Sequence, residues 1–199
     1  MKVIVIGASG TIGRAVVEQL AVRHEVIRVG KTSGQHQVDM TDIESVHRLF
    51  DKVGKADAVV VAAGEVHFGP LLELSPEQFS IGLQHKLMGQ VNVALAAQQH
   101  LNDGGSITLT SGIVGHDPIR FGTNATAVNA AVEGFARAAA IELPRGLRIN
   151  VVCPSVLQES MDAYGPYFHG FEPVPASRVA TAYVKSVDGL QTGQVYRVW

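Results

Sequence analysis

Three glycines at three-residue intervals, Gly7, Gly10 and Gly13, stand between the apolar run Val3–Ile6 and the helical pattern Thr11–Val22. A strand that turns at once into a helix needs the first glycine for the tight turn. The second lets a ligand approach the backbone, and the third lets the helix pack close to the strand. The first-turn N–H groups of such a helix lack intrahelical partners and suit a pyrophosphate. Gly7, Ser9, Gly10, Thr11, Ile12 and Gly13 are therefore the candidate phosphate contacts.

Dinucleotide folds that take NAD place an acid at the end of the second strand, where it holds the ribose 2′-hydroxyl. The corresponding stretch here is VIRVGKTSG, with no acid from Val26 to Gly34. Lys31, Thr32 and Ser33 suit a 2′-phosphate instead, with Arg28 or Ser9 assisting. The expected cofactor is NADP(H) in preference to NAD(H).

These residues need a scaffold, and the rest of the chain supplies its pattern. Apolar strands are expected at Val3–Ile6, Glu25–Val29, Asp57–Ala62, Ser106–Thr110, Leu147–Val152 and Gln194–Val198. Helical periodicities fill the gaps. Thr41-Asp42-Ile43-Glu44 has capping-box spacing and opens one helix. Ser75-Pro76-Glu77 opens another that runs to about His100. Asn124–Glu142 and Pro175–Val187 complete the set. Strands apolar on both faces, alternating with helices, imply a parallel sheet covered on both sides. The expected fold is a Rossmann-like, doubly wound, three-layer α/β domain over 1–199, with a short lid at about 156–175.

Composition narrows the function class. A chain of 199 residues suffices for one good core, and its net charge of −2 gives no pull on nucleic acid or membrane. No apolar run approaches the ~18 residues needed to span a bilayer. MKVIVIGASG is too short in its apolar part for a secretory signal and reads as a strand. The single cysteine, Cys153, lies in RINVVCP and reads as a buried thiol. The expectation is a cytoplasmic protein acting on a small molecule.

Several motifs in order resemble the short-chain dehydrogenase/reductase family over nearly the full length. GASGTIG resembles its cofactor loop. VDMTD resembles its adenine-contacting turn, which implies Asp39 and Met40 beside the adenine. VAAGE resembles the Asn-Asn-Ala-Gly turn and implies Ala62, Ala63 and Gly64 along the cofactor. LTSGI is similar to the segment with the substrate-orienting serine, which implies that role for Ser111. INVVCPS resembles the segment near the nicotinamide, implying Pro154, Ser155 and Val156 there. TGQVYRV resembles the last strand.

The departures from that family fall on its chemistry. Its helix motif is Tyr-x-x-x-Lys, in which the tyrosine gives a proton and the lysine lowers its pKa. Aligning AVNAAVEG with the usual pattern puts Asn129 at the lysine and Ala125 at the tyrosine. The family also carries an asparagine three residues before a glycine on the preceding helix, and here Lys86 stands there, before Gly89. The resemblance thus implies an exchange in which Lys86 and Asn129 meet in the site and Lys86 supplies the cation. His116, five residues after Ser111, is the candidate replacement acid. Small residues along Asn124–Glu142 permit close helix contact, and the resemblance implies a homodimer or homotetramer. No cluster has metal-ligand spacing. Two readings stay open: an atypical NADP(H)-dependent oxidoreductase on a small carbonyl or alcohol, and a non-catalytic NADP(H)-binding sensor or regulatory protein.

Overall fold

The chain alternates strands that are apolar on both sides with amphipathic helices, so it closes into a sheet between two helical layers. The computed structural model describes residues 1–199. Strands β1 (Lys2–Ile6), β2 (Glu25–Gly30), β3 (His36–Gln37), β4 (Ala56–Val61), β5 (Leu101–Thr110), β6 (Arg148–Pro154) and β7 (Val195–Val198) form one sheet. All pairings are parallel, in the order β3-β2-β1-β4-β5-β6-β7. The order reverses between β1 and β4. The crevice there, at the strands' carboxyl ends, is where ligands bind in open α/β sheets.

Alternation along each strand assigns the two cores. Ile4 and Ile6 of β1 pack with α2 (Ile43–Val53), α4 (Gly89–His100) and α5 (Thr123–Glu142). Val3 and Val5 face the opposite layer, α1 (Thr11–Leu20) and α7 (Ala176–Asp188). The expected doubly wound parallel sheet is thus what forms, with β3 as an additional strand. Its sequence is polar because it is a two-residue edge strand, paired only to Val29 and Gly30.

Two helix starts differ in detail from expectation. The side chain capping α2 is Asp42, which accepts from the Glu44 N–H at 3.0 Å. Thr41 does not cap, because its hydroxyl donates to Asp39 at 2.7 Å. The helix expected from Ser75 to His100 does form, but in three parts. It begins with α3 (Pro76–Gly82), under a full capping box of Ser75 and Gln78. It widens to a π-helix over Leu83–Met88 and resumes as α4. Such π segments recur at functional sites, and this one carries Lys86. The segment 156–175 holds short helical turns, including α6 (Met161–Tyr164), and is tied back by a bridge between Leu157 and Val174.

Candidate active site

The glycine turn is built by exclusion of side chains. Gly7 has φ +85°, and a Cβ there would fall 2.5 Å from the Ala62 carbonyl oxygen. A Cβ on Gly13 would fall 1.9 Å from the Gly7 carbonyl oxygen, so α1 packs on the turn only as glycine. Gly10 is different: an added Cβ would have only the Gly7 oxygen near it, at 3.4 Å. Nothing in the protein crowds that position, which leaves the backbone open to an approaching ligand. No side chain caps α1, and its first turn holds no acid. The first-turn N–H groups of Thr11, Ile12 and Gly13 therefore meet an anion unopposed. This cradle fits a dinucleotide pyrophosphate.

On one side of the turn lies a pocket lined by Gly7, Lys31, Asp39, Met40, Ala63 and Gly64, among others. The Asp39 carboxylate accepts from both the hydroxyl and the N–H of Thr41, which holds it below the usual carboxylate range. Asn92 fixes the far wall by donating to the Met40 carbonyl at 2.9 Å. Lys31 enters this pocket, but Thr32 and Ser33 are not among its lining residues. The Ser33 carbonyl instead packs against Gly30, 2.7 Å from where a Cβ would lie. Ser9 is exposed, and its carbonyl accepts from Arg14.

On the other side a cavity of about 590 Å³ opens against the segment 156–175. Gly10, Thr11, Ile12, Ala62, Ala63 and Gly64 form its floor, with Thr110, Val156 and Leu157 along one wall. Val66, Phe68, Tyr164 and Phe168 give it an apolar roof. Lys86 is the one lysine or arginine that lines it. Burial pushes the Lys86 ammonium down to about 8, against a weaker opposing influence of Cys153. The π segment is held in place by Gln90, a residue the sequence did not single out. Gln90 donates to the Lys86 and Thr110 carbonyls at 3.1 and 2.9 Å and accepts from the Thr110 N–H at 2.7 Å. Its position one turn after Lys86 was the only signal available.

Three expected catalytic residues do not stand in the cavity. Ser111 is buried, and its hydroxyl donates to Glu133 at 2.8 Å instead of lining the cleft. Strand alternation explains this: Thr110 faces the cavity, so Ser111 faces α5. Asn129 is buried under Gly112 and Gly115, makes no hydrogen bond to Lys86, and leaves its Oδ1 without a partner. The expected meeting of Lys86 and Asn129 therefore does not occur as a hydrogen bond. His116 turns inward to the Glu133 carboxylate, at 2.8 and 3.0 Å from its two oxygens. Glu133, unremarked in the sequence, is thus the hub of a buried cluster, with Cys153 beside it. Ala125 is buried against Ile113 and Val114 and carries no titratable group. The buried Tyr183 offers no free phenol to the cavity, because its hydroxyl is bound to Thr110 and burial pushes its pKa up. Pro154 ends β6, Ser155 donates to the Glu172 carbonyl at 2.8 Å, and of this trio only Val156 lines the cavity.

A family model described as enoyl-(acyl carrier protein) reductase matches residues 3–193. The chain belongs to the short-chain dehydrogenase/reductase family. It is 30% identical over 136 residues to a short-chain dehydrogenase/reductase of Pestalotiopsis microspora, covering 65% of this chain and 51% of that one. Tetrahydroxynaphthalene reductase of Pyricularia oryzae is 27% identical over 183 residues, covering 79% and 65%. The chain spans about half the length of the first curated relatives it matches. Among solved structures, protein lin1944 of Listeria innocua is 51% identical with a TM-score of 0.98, each chain fully covered. A small-chain dehydrogenase in complex with NADPH is 26% identical with a TM-score of 0.88, covering 100% of this chain and 96% of that one. No helix is long and apolar enough to cross a membrane.

Proposed function

We propose that the protein is an NADP(H)-dependent oxidoreductase of a small carbonyl or alcohol that works without the family's tyrosine and lysine. The observation that carries this reading is Lys86, a partly buried ammonium placed in an apolar cavity continuous with the glycine turn. Gly7, Gly10, Thr11, Ile12 and Gly13 would hold NADPH, which when bound would supply the hydride. Lys31 supports the preference for NADP(H), since it lines the pocket just after β2, in the stretch from Val26 to Gly34 that carries no acid. Asp39, Met40, Ala62, Ala63, Gly64 and Val156 close around the rest of the cofactor.

Lys86 then has two roles in reduction. Its charge stabilises the oxygen of the carbonyl as negative charge develops there. Its proton passes to that oxygen, leaving a neutral amine that is recharged from water. A group titrating near 8 suits this exchange close to neutral pH. The apolar roof of Val66, Phe68, Tyr164 and Phe168 excludes water and favours a substrate with an apolar body. Ser111, Asn129 and His116 support the wall of the site from behind in this reading.

A second reading keeps the cofactor and removes the turnover. It is favoured by Ala125, which offers no proton, and describes a sensor that binds NADP(H). One experiment separates the two. NADPH binding is measured by thermal shift, and a broad carbonyl panel is then screened for NADPH oxidation. Turnover that Lys86→Ala abolishes, with NADPH binding retained, supports the enzyme. Binding with no turnover across the panel supports the sensor. The homodimer or homotetramer expected from the small residues of α5 is checked in the same preparation by its mass in solution.

A further inference from the structure

Behind the cavity wall, Glu133 of α5 is 2% exposed, and its carboxylate is approached from three elements. His116 Nε2 reaches it from the loop after β5, and Ser111 Oγ from the end of β5. Cys153 Sγ of β6 completes the group. The imidazole nitrogen, the carboxylate and the sulfur all lie within 4.8 Å of one another. Arg137 is the one nearby cation on the carboxylate, at 3.7 Å, and it is more than half exposed.

We propose that His116, Glu133 and Cys153 form a binding site for a divalent transition-metal ion of borderline softness, with zinc the best fit. The donor set supports this choice. Imidazole, carboxylate and thiolate together match zinc or cobalt(II), whereas calcium and magnesium take oxygen alone. The size also fits. Zinc bonds of about 2.0–2.3 Å place tetrahedral ligand atoms roughly 3.3–3.7 Å apart. The three donors need to shift by only about 1 Å from their present spacing. Charge balances too: a divalent ion offsets one carboxylate and one thiolate, leaving a neutral buried site. Arg137, freed from the carboxylate, extends into water along its exposed side chain.

Binding follows a simple proton balance. The Cys153 thiol, which burial pushes up to about 12, releases its proton to solvent as the metal–sulfur bond forms. His116 gives up its bond to Glu133, and the proton on Nε2 moves by exchange with water to Nδ1, which leaves a lone pair on Nε2 for the metal. Ser111 retains its hydrogen bond to Glu133 and orients the carboxylate, as outer-shell groups do in metal sites. The fourth position is open to water on the solvent side of His116. No oxidation or reduction is involved. Such an ion would clamp β5, β6 and α5 together directly behind Thr110 and Val156 of the cavity wall.

The test uses the full, tag-free chain after dialysis against a chelator. Cobalt(II) is added and the thiolate-to-cobalt charge-transfer absorption is followed. Because Cys153 is the only cysteine, any such band reports this site alone. The expected result is a band that saturates at one equivalent, disappears in Cys153→Ala, and weakens at least tenfold in affinity in His116→Ala. Zinc should displace the cobalt and raise the melting temperature of the wild type but of neither variant. Absence of the band, or zinc stabilisation unchanged in both variants, overturns the proposal. His116 is exposed, so its variant keeps the test valid should Cys153→Ala fold poorly. The readout does not depend on any oxidoreductase activity.

Discussion

Lys86 lies directly across Gly64: a Cβ on that glycine would fall 2.6 Å from Lys86 Cδ and 3.0 Å from its Cα. The turn from Ala62 to Gly64 therefore packs directly against Lys86. This close approach fixes where the ammonium stands, at the rim of the cavity and beside the glycine turn.

Lys86→Met should separate function from stability. The methionine fills nearly the same volume without a charge. Loss of a positioned proton donor costs about 10²–10⁴ in rate, so turnover should fall by that factor with NADPH affinity within a few-fold. Melting temperature should rise at neutral pH, because burial opposes the charged lysine. A variant that lost activity together with stability would point to a structural lysine instead. Parallel thermal-shift and steady-state measurements decide.

The same group predicts the pH profile. Burial lowers the Lys86 pKa to about 8 from 10.5. Carbonyl reduction needs the protonated form, so kcat should decline as pH rises through about 8. Alcohol oxidation needs the neutral amine and should rise over that range. For stability the sign is also fixed. Between about 8 and 10.5 the unfolded chain binds the proton and the folded chain does not, so this group makes stability increase with pH across that window. Initial rates in both directions, with Lys86→Met as the reference, check the assignment.

The fold was legible because its signals are local and repeated. Apolar strands, the glycine turn and the Ser75 cap each announce an element within a few residues. The candidate site was legible only where the backbone itself forms it, from Gly7 to Gly13 and from Ala62 to Gly64. Side-chain direction was not. Ser111 and Thr110 are adjacent in sequence, and a strand sends them to opposite faces. Lys86 lines the cavity from a π segment, a feature with no sequence signature here. Glu133 escaped notice because it meets His116 and Ser111 from 17 and 22 residues away.

Ser111→Ala tests that difference of direction. A serine that touches the substrate would reduce kcat by orders of magnitude on removal. A serine that satisfies a buried carboxylate should instead lower stability, by about 1–3 kcal/mol for one lost partner of a buried charged group. We expect the second pattern, with kcat within a few-fold of wild type. Chemical denaturation and the steady-state assay together report it.

Lys31→Ala tests the cofactor preference. A charge-assisted contact with a 2′-phosphate contributes about 1.5–3 kcal/mol. NADPH should therefore bind at least roughly tenfold more weakly, while NADH, which has no such phosphate, should be nearly unaffected. The contrast should shrink in high salt, since Lys31 is exposed and its charge is screened. Equal weakening of both cofactors would place Lys31 in the pocket wall without a role in discrimination.

Gly10→Ala and Gly13→Ala should fail in different ways. At Gly13 the new methyl would overlap the Gly7 carbonyl at 1.9 Å, so α1 must move off the sheet. That variant should lose stability and cofactor binding together. At Gly10 the methyl has room in the protein, with 3.4 Å to its nearest neighbour, and the backbone there has φ −73°, open to any residue. Alanine also lowers the entropy of the unfolded chain, so Gly10→Ala should melt at or above the wild-type temperature. Its methyl, however, occupies the path by which a pyrophosphate reaches the first-turn N–H groups. NADPH should then give no thermal shift. A Gly10→Ala protein that still bound NADPH normally would show that the phosphates lie elsewhere.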